Sequence, residues 1–158
     1  HLVAPAIESR ISIPLLHIAD ATAERIRRDG IQRVGLLGTR FTMEEEFYKG
    51  RLQDEHALRV EIPPSRDREL VHRVIYEELV LGKIEASSRD EFARITDELA
   101  RSGAQGVILG CTEIGLLLKQ DAAPVPLYDT AVIHAEAAAE LALGPRSGPD
   151  GPEEAGPW

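Results

Sequence analysis

The stretch GVILGCTEIG, residues 106–115, decides the fold class because it joins an apolar run to a helical pattern at a cysteine. A short, continuous apolar run such as GVIL is typical of a buried parallel strand, and TEIGLLLKQ (112–120) has helix-like spacing. Cys111 is the only cysteine in the 158-residue chain, and it stands where the predicted strand ends. A structural cysteine would usually lie inside the apolar run, so this position raises the question of a chemical role.

The same alternation extends outward in both directions along the chain. RVGLLGT (33–39) is a second β-type run, and TMEEEFYKGRLQDEH (42–56) follows it as a predicted helix capped by Thr42. Further apolar runs lie at 13–18, 58–64 and 125–129, and further helical patterns lie at 20–30, 67–82, 87–103 and 130–143. Gly30 and Gly103 are predicted to end two of these helices. Together these patterns predict an α/β fold with a parallel sheet and flanking helices.

Charge and composition exclude several classes of partner. The net charge of −9, from 27 acidic and 18 basic residues, argues against nucleic acid or an anionic membrane, since either would require a basic surface. No apolar run approaches the roughly 18 residues of a membrane span, and no signal peptide is recognised. One cysteine excludes an internal disulfide and favours a reducing, cytoplasmic location. The segment GPRSGPDGPEEAGPW (144–158) is too poor in apolar residues to fold and is predicted to be a disordered tail.

Two strand ends carry the residues that could bind a ligand. In open α/β sheets, ligands bind at the carboxyl ends of the strands, and both 35–43 and 108–115 place a glycine and a hydroxyl residue before a helix start. Backbone N–H groups and threonine hydroxyls there predict a site for a small carboxylate or phosphate. At a helix N-terminus the Cys111 thiol would have its pKa lowered from about 8.5 toward neutrality, as suits a base or nucleophile. The alternative is a small residue that fills a tight strand–helix turn.

Other polar residues have simpler interpretations. GLLGTR (35–40) lacks the lysine of a nucleotide-binding loop, and the five histidines have no metal-ligand spacing. His56 and His72 lie on charged helical segments and are expected to be solvated. His17 and His134 border apolar runs and are expected to be core histidines with satisfied hydrogen bonds. Glu113 either caps the helix or holds the neighbour of the thiol in place.

RVGLLGTRFTMEEEFYKGRL (33–52) together with GVILGCTEIGLLL (106–118) resembles the aspartate/glutamate racemase family. The resemblance covers residues 1 to about 143. Glu113 stands where the glutamate racemase branch has histidine, so the chain is most similar to the aspartate racemase or broad-specificity amino-acid racemase branch. The resemblance implies a cofactor-independent proton transfer at the α-carbon of an amino acid or dicarboxylate. Two cysteines, one from each of two facing α/β domains, would serve the two faces of a planar carbanion.

The resemblance also implies roles for individual residues. Cys111 matches the second catalytic cysteine. The residues implied in substrate binding are Thr39, Arg40, Thr42, Thr112 and Glu113. The first cysteine belongs to a motif that His1 would close, so the resemblance implies a chain that begins just after that motif. On this basis the 158 residues alone are expected not to racemise an amino acid.

The implied domain organisation follows from the same match. Residues 1–18 would be a remnant of a first α/β domain, 19–123 the second domain with Cys111, and 124–143 a strand and helix that return to the first domain. Without that domain, the returning helix would expose an apolar stripe made of Ala131, Val132, Ala135, Ala138, Ala139 and Leu143. Family members are often dimers, so a homodimer is an open alternative to a monomer.

Two rival functions use the same residues. The first is a one-cysteine enzyme of the same superfamily, such as an arylmalonate-type decarboxylase or a maleate isomerase; the decarboxylase protonates one face only. The second is an inactive domain that keeps the carboxylate site at Thr39 and Thr112 and lacks a second base. A cysteine before His1 would indicate two bases, and glycine or serine there would indicate one.

Overall fold

The structure is a computed structural model, and it describes residues 1–144. Apart from Gly144, the disordered tail predicted for 144–158 therefore lies outside the described residues. None of the helices within this described part combines the length and the apolarity that crossing a bilayer requires.

In the described part of the chain, a four-stranded parallel sheet forms the centre of the fold and confirms the predicted α/β class. Its strands are β1 (Arg33–Leu37), β2 (Arg59–Glu61), β3 (Gly106–Leu109) and β4 (Leu127–Asp129), in the order β2-β1-β3-β4. The central strands are buried along almost their whole length, which explains their continuous apolar sequences. Leu99, on a flanking helix, packs so closely over Gly35 of β1 that a Cβ there would lie 2.8 Å from its Cδ1 atom.

Within residues 1–144, eight α-helices connect and flank the strands. They are α1 (Ala4–Glu8), α2 (Ile18–Arg28), α3 (Arg40–Glu44), α4 (Glu46–Asp54), α5 (Ser65–Glu77), α6 (Ala86–Arg101), α7 (Ile114–Leu117) and α8 (Thr130–Leu143), with 3₁₀ turns at Leu79–Leu81 and Gln120–Ala122. Gly30 and Gly103 follow α2 and α6 with φ of 73° and 101°, so both predicted helix stops are confirmed.

The prediction of one continuous helix over 42–56, capped by Thr42, is wrong in two respects. It is broken at Glu45, which is extended, and the break separates α3 from α4. The run of three glutamates is thereby split, because Glu44 pairs with Arg68 of α5 and Glu46 pairs with Lys49 of α4. The cap of α3 is Thr39, whose Oγ1 accepts the N–H of Thr42.

Three other predicted elements are shorter than expected or absent. The helix over 67–82 ends at Glu77 and continues as a 3₁₀ turn, and the helical pattern at 112–120 forms helix only over Ile114–Leu117. The apolar run 13–18 joins no strand of the described sheet. Its Leu16 carbonyl instead accepts a hydrogen bond from His134 of α8 at 3.0 Å, which ties the segment to a helix.

Apolar side chains are exposed to solvent in two segments, the first 13 residues and α8, and we call these side chains together the open face. α8 packs against α2. Leu2, Ile13 and Leu143 are 77%, 71% and 84% exposed. The other exposed members are Val3, Ile7, Ile11, Val132, Ala135, Ala138, Ala139 and Leu141. Ala131, also expected in this stripe, is half-buried.

Candidate active site

The carboxyl ends of β1 and β3 lie side by side and place the two predicted loops together. Leu37 of β1 is the register partner of Leu109 of β3, and the N–H of Gly110 donates to the Leu37 carbonyl at 2.6 Å. The residues that follow, Thr39 on one strand and Cys111 on the other, therefore start from adjacent positions. This is the edge of an open parallel sheet at which ligands bind.

Glycines allow these two loops to approach each other. A Cβ atom on Gly110 would lie 3.0 Å from the Leu37 carbonyl oxygen and 3.2 Å from the methyl group of Thr42. A Cβ atom on Gly38 would lie 3.0 Å from Cβ of Thr42. Thr42 thus packs its methyl against both loops, and its place in the site depends on the absence of side chains at both glycines.

The hydroxyl groups of Thr39 and Thr42 lie next to each other in the first turn of α3. Their Oγ1 atoms are 3.2 Å apart, and Thr39 Oγ1 accepts the Thr42 N–H at 3.3 Å. Arg40 between them is exposed, and its guanidinium carbon lies 5.8 Å from the centre of the Phe41 ring. Two hydroxyls and one cation therefore lie within a single short segment at the end of β1.

Glu113 accepts hydrogen bonds from both residues that precede it. The Cys111 thiol donates to Glu113 Oε2 at 2.9 Å, and the Thr112 hydroxyl donates to the same oxygen at 2.9 Å. The thiol is half-buried and Thr112 is exposed. The thiol proton is thus directed at a carboxylate, which fixes the orientation of the sulfur.

The prediction that the Cys111 thiol has a lowered pKa is wrong for this structure. Burial and the Glu113 carboxylate raise the pKa of the thiol to about 12, although the N–H groups of Glu113 and Thr112 act to lower it. The helix that was expected to supply positive charge, α7, is only four residues long, so its dipole is weak. The hydrogen bond from Cys111 in turn lowers the pKa of Glu113. The stable pair is a neutral thiol and an ionised carboxylate.

Two histidines that were expected to be solvated make specific contacts instead. His72 of α5 accepts the backbone N–H of Arg40 through Nδ1 at 3.2 Å, and His56 contacts Asp20 at 2.9 Å. Arg68 lies one helical turn before His72 on α5 and binds Glu44 of α3 at 2.8 Å. The i, i+4 spacing of Arg68 and His72 is the sequence signal that could have indicated a shared contact face.

His17 and His134 have the hydrogen bonds expected of core histidines. His17 is 5% exposed, accepts the Ala19 N–H and lies 3.3 Å from a ring nitrogen of His1. Burial, followed by the positive charge of Arg51, lowers the pKa of His17. His134 is half-buried and bonded to the Leu16 carbonyl.

One group within residues 1–144 has the geometry of a metal site, namely Asp20, Glu55 and His56. Arg51 already binds both oxygens of Asp20, at 2.6 and 2.8 Å, and also pairs with Glu55 at 3.4 Å. Burial acts to raise the pKa of Asp20, but the hydrogen bonds from Arg51 and His56 outweigh it and lower the pKa. This arrangement is an ion-pair network that joins α2 to α4, away from the strand ends.

Comparison with known proteins identifies relatives along most of the chain. The sequence model of a family described as Asp/Glu/hydantoin racemase matches residues 1–138. An uncharacterized protein in the pnlA 3′ region of Pectobacterium carotovorum subsp. carotovorum is 30% identical over 114 residues, which are 72% of this chain and 74% of that protein.

Solved structures with the same fold include larger proteins. A candidate Asp/Glu racemase from Yersinia pestis is 53% identical with a TM-score of 0.88. An aspartate racemase homologue from Pyrococcus horikoshii OT3 is 36% identical with a TM-score of 0.83. Both similarities cover 91% of this chain, which spans 63% of the length of each of those proteins. Picrophilus torridus aspartate racemase is similar in fold alone, with 22% identity and a TM-score of 0.59. That similarity covers 77% of this chain and 52% of the Picrophilus protein.

Proposed function

Because the chain belongs to the Asp/Glu/hydantoin racemase family, we propose that it contributes to cofactor-independent racemisation of an acidic amino acid through the thiol of Cys111. The observation that carries the proposal is the position of that thiol, at the end of a central strand and one residue from the glycine that contacts Thr42. The reaction class is an isomerisation in which a proton leaves one face of the α-carbon and another arrives on the opposite face.

The substrate carboxylate would bind between the two strand ends. Thr39 and Thr42 supply hydroxyl donors from one loop, and Thr112 supplies one from the other after its hydroxyl turns away from Glu113. Arg40 would add a positive charge at the exposed edge. Donors directed at the carboxylate stabilise the negative charge that develops when the α-proton is removed, and this lowers the barrier for a weakly acidic proton.

Cys111 would act first as a proton donor, because its thiol is protonated and bonded to Glu113. Its Sγ–H proton passes to the α-carbanion, a new C–H bond forms, and the electron pair of the S–H bond remains on sulfur. The resulting thiolate lies beside the Glu113 carboxylate, and the high pKa of the thiol makes that thiolate a strong base for the reverse reaction. Glu113 would orient the thiol and keep it protonated between turnovers.

The second acid/base group would come from a segment outside these 158 residues. Cys111 is the one cysteine in the sequence, and the two more similar solved proteins are longer than this chain. We propose that the open face packs against this further α/β domain. Residues 1–18 and 124–143 would then belong with it, and residues 19–123 would form the domain of Cys111. A reducing cytoplasmic setting would keep the thiol free.

The test is exchange of the α-proton with solvent. The 158-residue chain is incubated in D₂O with L- and D-aspartate and with L- and D-glutamate, and loss of the α-proton signal is followed by NMR. We expect α-proton exchange with retained configuration, because Cys111 reaches only one face of the α-carbon. The rate should rise about tenfold per pH unit between roughly pH 7 and 9, because the thiolate fraction grows in this way below the thiol pKa.

The matched variants are Cys111→Ala, which removes the thiol, and Ser9→Ala, which alters an exposed hydroxyl in another part of the chain. We expect exchange to be lost in the first and kept in the second. Exchange that survives Cys111→Ala contradicts the role of the thiol. Inversion of configuration by these 158 residues contradicts the need for a second group from elsewhere.

The protonated thiol also favours a second candidate, a decarboxylase of the arylmalonate type. Loss of CO₂ breaks a carbon–carbon bond and leaves its electron pair on the α-carbon, and the Cys111 Sγ–H proton would complete the product. That reaction needs one proton donor only. CO₂ release from an aryl-substituted malonate without any exchange of amino-acid α-protons would favour this candidate over the racemase.

A further inference from the structure

We propose that His72 is a positioning residue that holds the loop Thr39–Thr42 in its substrate-binding conformation; the inference rests on the proposed function of that loop. His72 is on α5, outside both strand-end segments. Its hydrogen bond to the proposed substrate-binding loop is made to the backbone N–H of Arg40, and its aromatic neighbours are Phe41 and Tyr76. Its effect on the reaction would therefore be indirect.

The His72 contact gives a hydrogen-bond partner to the Arg40 N–H, which has none within helix α3. The first N–H groups of a helix have no partner within the helix, and α3 begins at Arg40. Thr39 Oγ1 accepts the Thr42 N–H, and His72 Nδ1 accepts the Arg40 N–H. The first turn of α3 is thus held by one bond from within the loop and by a second from α5.

The ring of His72 is itself fixed by aromatic neighbours. It lies edge-on to Phe41 with ring centres 6.0 Å apart, and 4.7 Å from the ring of Tyr76. An imidazole whose Nδ1 accepts a hydrogen bond carries its proton on Nε2. The packing and the hydrogen bond together select one orientation and one tautomer.

A second bridge from α5 makes the support rigid. Arg68 binds Glu44 at the end of α3 and also donates to the Pro63 carbonyl at 2.8 Å. α5 therefore holds α3 at both ends, by His72 at the first turn and by Arg68 at the last. Loss of the His72 bond should loosen the end of α3 that carries the two hydroxyls.

Two substitutions at His72 separate the hydrogen bond from the bulk of the ring. His72→Phe keeps an aromatic ring without an acceptor, and His72→Asn places an amide oxygen close to the position of Nδ1. We expect the Arg40 amide resonance to move and the order of residues 39–42 to fall in His72→Phe, and both to return in His72→Asn. The dissociation constant of aspartate should rise about three- to tenfold in the first variant and be restored in the second.

His134→Phe is the matched control, because it removes a histidine hydrogen bond on α8, away from the loop. It should leave the Arg40 resonance and the aspartate affinity unchanged. An Arg40 resonance that is the same in wild type and His72→Phe overturns the inference, as does a His72→Asn variant that fails to restore it. A His72-dependent Arg40 resonance in a chain that binds no aspartate supports the inference about the loop and contradicts the proposed function.

Discussion

The polar groups at the ends of β1 and β3 have hydrogen-bond partners, whereas the open face exposes apolar side chains to water. At the strand ends, hydroxyl, thiol and backbone groups bond to one another, and two glycines bring the loops into contact. On the open face, Leu143 is 84% exposed and Leu2 is 77% exposed. The core around the sheet is therefore closely packed, while the apolar side chains of the open face are left exposed to water. Exposed apolar surface of this kind is typical of an interface.

The largest expected effect comes from comparing a leucine-to-alanine substitution in the core beneath the strand ends with the same substitution on the open face. Leu36→Ala in β1 removes a side chain with 0% exposure and should lower the free energy of unfolding by about 2–5 kcal/mol. Leu143→Ala on the open face should change it by less than about 0.5 kcal/mol. Urea denaturation of both variants measures the difference. Similar losses would mean that the open face is covered in solution, for example by a second copy of the chain.

A smaller effect is expected at the Arg51 network, which joins α2 and α4 to the N-terminal segment. Asp20 of α2 is bound by Arg51, which also lies 3.6 Å from Glu8 in the N-terminal segment. Asp20→Asn should cost about 1–3 kcal/mol at pH 7, because charged hydrogen bonds are lost. The pKa of Asp20 is lowered in the folded protein, so its contribution is present above the ordinary value of about 4 and is lost as pH falls below it.

Denaturation of wild type and Asp20→Asn at pH 7 and near pH 3 checks this sign. The gap between the two proteins should shrink at the acidic pH. Asp97→Asn is the matched control, because Asp97 pairs with Arg101 on the surface of α6. That variant should change stability by no more than about 1 kcal/mol at either pH. A gap at Asp20 that widens in acid would contradict the ion-pair interpretation.

The smallest expected effect concerns the reactivity of the thiol. Glu113→Gln removes the negative charge beside Cys111, so the thiol pKa should fall from about 12 while burial keeps it above the ordinary value. Alkylation by iodoacetamide near pH 8.5 should be faster, roughly tenfold for each pKa unit of the fall. Glu91→Gln on the exposed part of α6 serves as the control. An unchanged or slower reaction would mean that Glu113 does not hold the thiol protonated.

The features predicted correctly from the sequence are those that local patterns determine. Continuous apolar runs predicted β1 and β3, and Gly30 and Gly103 predicted two helix ends. Cys111 follows β3 for the same reason, since a run of buried residues ends there. The roles assigned to Cys111, Thr39, Arg40, Thr42, Thr112 and Glu113 stay predictions.

The features that were missed depend on partners distant in the sequence. The break at Glu45 is accompanied by a pairing of Glu44 with Arg68, 24 residues away. The bond from Arg40 to His72 spans 32 residues. The thiol pKa was predicted in the wrong direction because burial and the rotamer of Glu113 cannot be obtained from spacing. Local patterns reveal neither which side chains meet nor how much water they lose.

The order of strands in the sheet has a consequence for partial unfolding. β1 and β3 are the inner strands, and β2 and β4 are the three-residue edges. Edge elements open in low-energy fluctuations, whereas inner strands open only with the whole domain. Amide hydrogens of residues 34–37 and 106–109 should therefore exchange last. Both candidate loops are attached to the strands that persist longest, so forms that have already lost β2 and β4 would still hold the two loops side by side.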